Sequence, residues 1–197
     1  MSDRSYLTVA DDAVAEIEEK RSRFIAYVTR VGEEALARER VEELRKQHWD
    51  ARHHCTAFRI GSRGDVERSN DDGEPAGTAG APMLEVIRGA GVSDVLVVVV
   101  RYFGGTLLGA GGLVRAYSDA TRAGLVAAGI RERRLLDLWT LSVEHGEAGR
   151  IQNAMRTRGV QVRDVEYAEQ AHLSLAAEDL DLTSFGAVRA GEEWADC

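Results

Sequence analysis

The chain has 197 residues, of which 44% are hydrophobic, and a formal net charge of −8. This content is ordinary for a globular protein with a real core, no apolar run is long enough to span a bilayer, and the polar, acidic residues 1–12 do not resemble a signal peptide. The two cysteines, Cys55 and Cys197, lie far apart in sequence, which excludes a disulfide framework or a cysteine-based zinc site and is typical of a reduced, cytoplasmic protein.

The negative charge is unevenly distributed along the chain. Residues 1–134 hold 20 Lys/Arg and 21 Asp/Glu, a net of −1, whereas residues 135–197 hold 5 and 12, a net of −7. A polyanion should therefore avoid the last third of the chain and meet the first part, if it binds at all. The composition changes near Arg134 without a Gly/Ser/Pro linker, and we expect two domains, residues 1–134 and 135–197.

The periodicity of apolar residues predicts a β/α mixture in the first part. Alternation predicts one or two strands before residue 32, and wider spacing predicts amphipathic helices. Gly61–Gly64 and Asn70–Gly80 are rich in turn residues. The predicted strands are Glu16–Val31, Cys55–Ile60 and Asp94–Arg101, and the predicted helices are Glu33–His48, Ala81–Arg88 and Leu113–Ala128.

The pattern restarts after Arg134 with a β-α-β-β-α order. The predicted strands are Leu138–Val143, Val160–Val165 and His172–Leu175, and the predicted helices are Glu147–Arg158 and Glu178–Ala190. This order suggests a ferredoxin-like unit. A final strand before Cys197 is hard to find, so the edge of the unit is expected to be open or incomplete.

The most informative segment is residues 95–118, where a β-branched run ends in Arg101-Tyr102-Phe103 and a glycine-rich stretch leads into a helix. The run Val95–Val100 is typical of a strand buried on both faces. The glycines can adopt positive φ and let another molecule approach the backbone, or they can serve tight packing; both interpretations stay open. Anion binding would use the free N–H groups at the start of the helix, with Arg101 and Arg115. The glycines are Gly104, Gly105, Gly109, Gly111 and Gly112.

An acidic turn covers residues 71–80. Asp72 and Glu74 are candidates for binding a cation or sharing a proton. The alternative is a solvated loop that caps the helix after Gly77-Thr78, which is the commoner role of such residues. Gly73 and Pro75 force a turn that should splay the carboxylates.

Two further groups offer chemistry beside these segments. His53 and His54 should point to opposite faces of a strand, so they cannot easily bind one metal together. Either could serve as a base near the carboxylates; the alternative is one buried, hydrogen-bonded imidazole and one exposed. Cys55 is expected to be a core residue rather than a nucleophile. Tyr102 and Phe103 offer aromatic surface for a base, although only one ring can point outward.

Together these segments resemble the YigZ/IMPACT family. The stretches that carry the resemblance are Lys20–Ala26, Ala51–Phe58, Asp71–Gly80 with Pro82, and Arg101–Gly105 through Gly111–Ser118. The resemblance implies an α+β protein: an N-terminal domain like domain 2 of ribosomal protein S5 and a ferredoxin-like C-terminal domain, a pair similar to domains IV and V of elongation factor G. It also implies a translation-associated binding protein.

The sequence leaves two function classes open. In the first, the chain binds RNA, the ribosome or a protein partner, and no membrane. In the second, it is an enzyme that acts on a phosphorylated small molecule or nucleotide through the glycine-rich loop and nearby acidic and histidine side chains. We favour binding, with no catalytic residue, metal or cofactor, because the sequence has no complete nucleophile–base or metal-ligand set. The predicted binding residues are His53, His54, Asp72, Glu74, Gly77, Thr78, Arg101, Tyr102, Phe103, Gly104, Gly105, Gly111, Gly112 and Arg115.

Overall fold

The protein is a mixed α+β chain with two antiparallel sheets in a computed structural model that describes residues 4–197. The first three residues of the polar segment 1–12 lie outside this range. The strands are β1 Ser5–Val9, β2 Ala13–Glu19, β3 Ser22–Arg30, β4 His53–Ile60, β5 Val66–Asn70, β6 Val95–Tyr102, β7 Ile130–Val143, β8 Gln161–Tyr167, β9 Ala171–Ala177 and β10 Val188–Asp196. The α-helices are α1 Glu34–Gln47, α2 Gly80–Ala90, α3 Ala110–Ala128 and α4 His145–Thr157.

The chain divides into two compact units. The first is Tyr6–Glu132, and the second is Arg133–Cys197 together with residues 4 and 5. None of the helices between residues 4 and 197 combines the length and the apolar character needed to cross a membrane.

The first unit is a five-stranded sheet in the order β2-β3-β6-β4-β5, with β6 at its centre. Val95–Val100 are fully buried, as the apolar run predicted, because helices cover both faces of the sheet. On one face Val97 and Val99 join a core that includes Met83 of α2 and Tyr117 of α3. On the other face Val98 and Val100 pack in a core with Leu44 of α1.

The second unit contains β7 to β10 and α4. β9 lies between β7 and β8, and β10 pairs with the other edge of β7, so these four strands follow the order β10-β7-β9-β8; β1 also lies in this sheet beside β7. Trp139, Met155 and Leu173 are central to its core. The unit keeps the β-α-β-β pattern of a ferredoxin-like unit, but a single 3₁₀ turn, Thr183–Phe185, follows β9 in place of a second helix.

The predicted elements differ from the structure in four respects. The segment Glu178–Ala190, predicted as a helix, contains this turn and the start of β10. β10 is the final strand that the sequence prediction did not find, and its pairing with β7 is interrupted by a register shift between Arg189 and Gly191. The short strands β1 and β5 were not predicted. Helix α3 begins at Ala110 rather than Leu113, because Gly109, with a φ of +72°, ends the loop.

Candidate functional site

A pocket of about 410 Å³ opens in the first unit where β6 ends and α3 begins. We call it the α3 pocket. Strand register explains part of its composition, since His53 on β4 lies directly across from Arg101 on β6. Phe24 on β3 lies across from Arg101 on the other side of β6. The pocket is bordered by Arg52, His53, Glu74, Arg101, Phe103, Leu107 and the first turn of α3.

Arg101 and Glu74 form a buried ion pair at the floor of the α3 pocket. Arg101 Nη1 donates to Glu74 Oε1 at 2.6 Å, and their side chains are only 7% and 4% exposed. The Tyr117 hydroxyl donates to the same oxygen at 2.7 Å. Burial is the main cause that raises the pKa of Tyr117, so this hydroxyl keeps its proton. Arg101 is thereby committed to the protein rather than free to clamp a ligand anion.

The guanidinium of Arg101 also lies over two aromatic rings. Its carbon is 5.4 Å from the centroid of Phe24 and 5.7 Å from that of Phe103. Such cation–π contacts hold the side chain in one place. One nitrogen, Arg101 Nε, is buried without a hydrogen-bond partner in the described part of the chain.

The two histidines point to opposite faces of β4, as the strand period predicted. His53 lines the α3 pocket; its Nδ1 donates to the Asp72 carbonyl at 2.9 Å, and its Nε2 lies 4.0 Å from Glu74 Oε1. His54 is buried on the other face, where its Nε2 donates to the His48 carbonyl at 3.2 Å. Burial lowers the pKa of His54, although Asp72 opposes the shift.

The acidic turn sends only one of its carboxylates into the pocket. Asp71 caps α2, because its Oδ1 accepts from the amides of Ala79 and Gly80 at 3.0 and 2.8 Å. Burial raises the pKa of Asp71, but the amide bonds together outweigh it and hold the pKa below its usual value. Asp72 accepts from the His54 amide at 2.7 Å and pairs with Arg45.

Gly77 and Thr78 serve the turn itself. The Gly77 amide donates to Asp71 Oδ2 at 2.8 Å, and the Thr78 hydroxyl donates to the Pro75 carbonyl at 2.6 Å. Neither residue borders the α3 pocket. Capping and turn formation are therefore the roles that the geometry gives Asp71, Gly77 and Thr78, whereas Asp72 bonds to His54 and Arg45 and Glu74 enters the pocket.

The glycines divide into packing, turn and helix positions. A Cβ on Gly104 would lie 2.0 Å from the backbone carbon of Arg21, so only glycine fits there. Gly105 and Gly109 have positive φ values of +85° and +72°. Gly111 and Gly112 do not; they belong to the first turn of α3 rather than to the loop, which corrects the sequence prediction.

The start of α3 presents unpaired backbone donors. The first amide with an intrahelical acceptor is that of Leu113, which donates to the Gly109 carbonyl at 2.9 Å. The amides of Ala110, Gly111 and Gly112 have no acceptor within residues 4–197. These groups carry the positive end of a 19-residue helix, where an anion is stabilised.

The remaining predicted residues do not all reach the pocket. Phe103 does, and its side chain is 48% exposed. Tyr102 lies on the opposite face, where its hydroxyl donates to Asp50 Oδ1 at 3.0 Å and lies 2.9 Å from His48 Nδ1. Arg115 is exposed one turn along α3, with Nη1 4.0 Å from where a Cβ on Gly111 would be.

Sequence reasoning missed three cations of the first unit, one of which borders this pocket. Arg52 borders it, and the backbone of Arg21, next to Lys20 in the β2–β3 turn, touches Gly104. None of these three, nor Arg115, forms an ion pair in the described part of the chain, whereas Arg101 does. All three belong to the stretches that carry the family resemblance, but nothing in the sequence shows that they have no ion-pair partner in the described chain.

Together, the fold and the site define a two-unit α+β protein with an arginine-bordered pocket at the end of a glycine-rich loop in its first unit. The Impact N-terminal domain model matches residues 20–125, and a model described as a domain of unknown function (DUF1949) matches residues 141–187. The chain belongs to the IMPACT family.

Relatives across bacteria support this assignment. The chain is 40% identical to IMPACT family member YvyE of Bacillus subtilis, over 92% of this chain and 83% of the relative. It is 42% identical to IMPACT family member YigZ of Escherichia coli, over 72% and 70%. A crystal structure of a hypothetical protein superposes with a TM-score of 0.67 at 35% identity, covering 92% and 89%.

Proposed function

We propose that this chain is a cytoplasmic, translation-associated binding protein that contacts RNA through the α3 pocket and its rim. In this proposal residues 1–134 are the IMPACT-type domain that carries the site, and residues 135–197 are the ferredoxin-like domain. Family membership supports a regulatory binding role. The observation that carries the RNA assignment is two arginines that form no ion pair in the described chain and lie beside the open first turn of α3. Arg52 lines the pocket together with Ala110, and Arg115 Nη1 lies 4.0 Å from where a Cβ on Gly111 would be.

Charge supports this choice of ligand. The chain is acidic overall at −8, and the arginines elsewhere on the first unit that pair with acids, such as Arg23, Arg45 and Arg88, contribute little net field. Arg52 and Arg115, which form no ion pair in the described chain, therefore add positive charge beside the free amides of the first turn of α3. Salt screens the field of distant acids over a Debye length of about 8 Å. Phosphate groups accept hydrogen bonds from both arginine side chains and backbone amides.

Binding is favoured over the enzyme alternative because the reactive groups near the pocket are otherwise engaged. Burial raises the pKa of the Cys55 thiol to about 12, so it is not a thiolate at neutral pH. Glu74 is held by Arg101 and Tyr117. Among the described residues that line the pocket, His53 is the remaining base candidate, and none of the others is a serine, threonine, cysteine or lysine that it could activate as a nucleophile.

Fluorescence anisotropy with a single-stranded RNA of about ten nucleotides tests the proposal. Arg52→Ala and Arg115→Ala should each weaken binding several-fold and each reduce the slope of log K against log salt by about 0.7, the value per phosphate contact on a single strand. Arg156→Ala is the matched control, because Arg156 is also exposed and has no ion pair in the described chain, but lies on α4 of the second unit.

Ribosome co-sedimentation at about 50 and 200 mM salt distinguishes contact with ribosomal RNA from contact with a protein partner. Salt-sensitive sedimentation that Arg52→Ala reduces supports RNA contact on the ribosome. Salt-insensitive sedimentation with no affinity for free RNA would contradict the proposal and assign the surface to a protein.

A further inference from the structure

We infer that the α3 pocket accepts one unpaired nucleotide of a single-stranded RNA, with the base inside the pocket and its phosphate on the first turn of α3. This inference rests on the proposed function and names its ligand class. It depends on three features of the pocket: its size, its apolar wall and its incompletely satisfied polar floor.

The pocket has the size and wall that a base requires. Its volume of about 410 Å³ falls in the range of small-ligand sites, roughly 300–1,000 Å³. Phe103 is 48% exposed and Leu107 is 83% exposed, and both side chains border it. Arg101 holds the Phe103 ring through a cation–π contact at 5.7 Å. An aromatic side chain held in this way is a stacking platform for any base.

The floor of the pocket has hydrogen-bonding capacity that the described protein does not use. Glu74 Oε1 accepts from both Arg101 and Tyr117, whereas Glu74 Oε2 accepts from no protein donor between residues 4 and 197. Arg101 Nε is also buried without a hydrogen-bond partner among the described residues, and the Arg101 side chain is only 7% exposed. Such atoms need polar partners. The edge of a base supplies them, and a hydrocarbon ligand does not.

The phosphate position follows from the helix start. The amides of Ala110, Gly111 and Gly112 have no acceptor in the described chain, and Ala110 borders the pocket. Gly111 and Gly112 lack side chains that would keep a phosphate away from these amides. Arg52, at the same rim, adds a cation.

A base in a duplex is stacked and paired, so it cannot enter such a pocket without being extruded. The inference therefore predicts that strandedness decides affinity. A surface that read only phosphates would bind duplex and single strand through the same cations.

The experiment compares a fluorescent single strand of about ten nucleotides with the hairpin duplex of the same sequence, by anisotropy at one salt concentration. The single strand should bind about ten-fold more tightly. Phe103→Ala should weaken single-strand binding about ten-fold, corresponding to about 1.4 kcal/mol, and leave duplex binding unchanged. Tyr167→Ala is the control, because Tyr167 is 60% exposed on β8 of the second unit.

Each outcome decides the inference. Equal affinities together with a neutral Phe103→Ala would overturn the nucleotide pocket while the proposed RNA contact stands. No binding of either RNA would overturn both. Phe103→Leu guards against a folding defect, because it keeps an apolar side chain of similar reach without the π face; a melting temperature equal to that of the wild type and a ten-fold loss of single-strand affinity support stacking.

Discussion

The ion pair between Arg101 and Glu74, 2.6 Å from Nη1 to Oε1, ties the end of the central strand to the acidic turn. The two residues lie 27 positions apart in sequence. Both side chains are more than nine-tenths buried, so their charges depend on each other for solvation. The arginine that ends the apolar strand therefore organises the pocket floor instead of projecting from it.

Removing the carboxylate should destabilise the first unit strongly. Glu74→Ala leaves the Arg101 cation buried without a counter-charge and the Tyr117 hydroxyl without its acceptor. We expect a loss of about 3–5 kcal/mol in the free energy of unfolding, measured by urea denaturation. Glu85→Ala, which removes an exposed carboxylate, should change it by less than about 0.5 kcal/mol. A loss below about 1 kcal/mol for Glu74→Ala would show that the pair is not needed for folding.

Gly104→Ala should be among the most damaging single-methyl changes in the chain. The added Cβ would lie 2.0–2.4 Å from backbone atoms of Arg21 and Ser22, and backbone cannot rotate away. We expect a loss of about 3 kcal/mol or more. Gly89→Ala is the matched control: it lies in α2 with nothing within 4 Å, and should stabilise the protein by about 0.5–1 kcal/mol. Similar unfolding midpoints for the two variants would contradict the close packing of Gly104.

The sequence predicts well those features that depend only on neighbouring residues along the chain. The run Val95–Val100 has no polar residue to expose, so burial on both faces was predictable. The opposite orientation of His53 and His54 follows from the strand period alone. By contrast, β10 contains Gly191 and Glu192-Glu193, and becomes a strand only through its pairing with β7.

The composition of the site was predictable only in part, because the tertiary structure decides which residues each side chain pairs with or packs against. Arg101 and Arg115 are equivalent in sequence terms, yet one is buried against Glu74 and the other is exposed. Adjacent aromatics separate in the same way, since Phe103 borders the pocket and Tyr102 packs with His48 on the opposite face. Arg52 gave no local signal, because what distinguishes it is that it forms no ion pair with any acid of the described chain.

Gly111→Ala separates folding from ligand binding. Gly111 has ordinary helical φ, and the only atom near an added Cβ is Arg115 Nη1 at 4.0 Å, so the fold does not need glycine there. The substitution should leave stability unchanged or raise it by up to about 1 kcal/mol, because alanine favours helix. It should weaken RNA binding several-fold in the anisotropy assay, since the methyl shields the free amides. Unchanged affinity with normal stability would exclude the first turn of α3 as a phosphate contact.

Acid should destabilise the protein through His54. Burial lowers the pKa of His54 in the folded state below its unfolded value of about 6.5, so the folded state binds fewer protons. Its stabilising contribution is therefore fully present above pH 6.5 and is lost as the pH falls through the folded pKa. His54→Gln retains an N–H donor for the His48 carbonyl but cannot titrate. Between pH 8 and pH 5.5, the urea midpoint of this variant should fall less than that of the wild type.

The control for this pH dependence is His172→Gln. His172 is exposed on β9, where its Nδ1 lies 2.7 Å from the Ser142 hydroxyl. That variant should keep the full acid sensitivity of the wild type, because the buried imidazole is still present. If His172→Gln and His54→Gln reduce the acid sensitivity equally, burial of the His54 imidazole is not the cause of the proton uptake on unfolding.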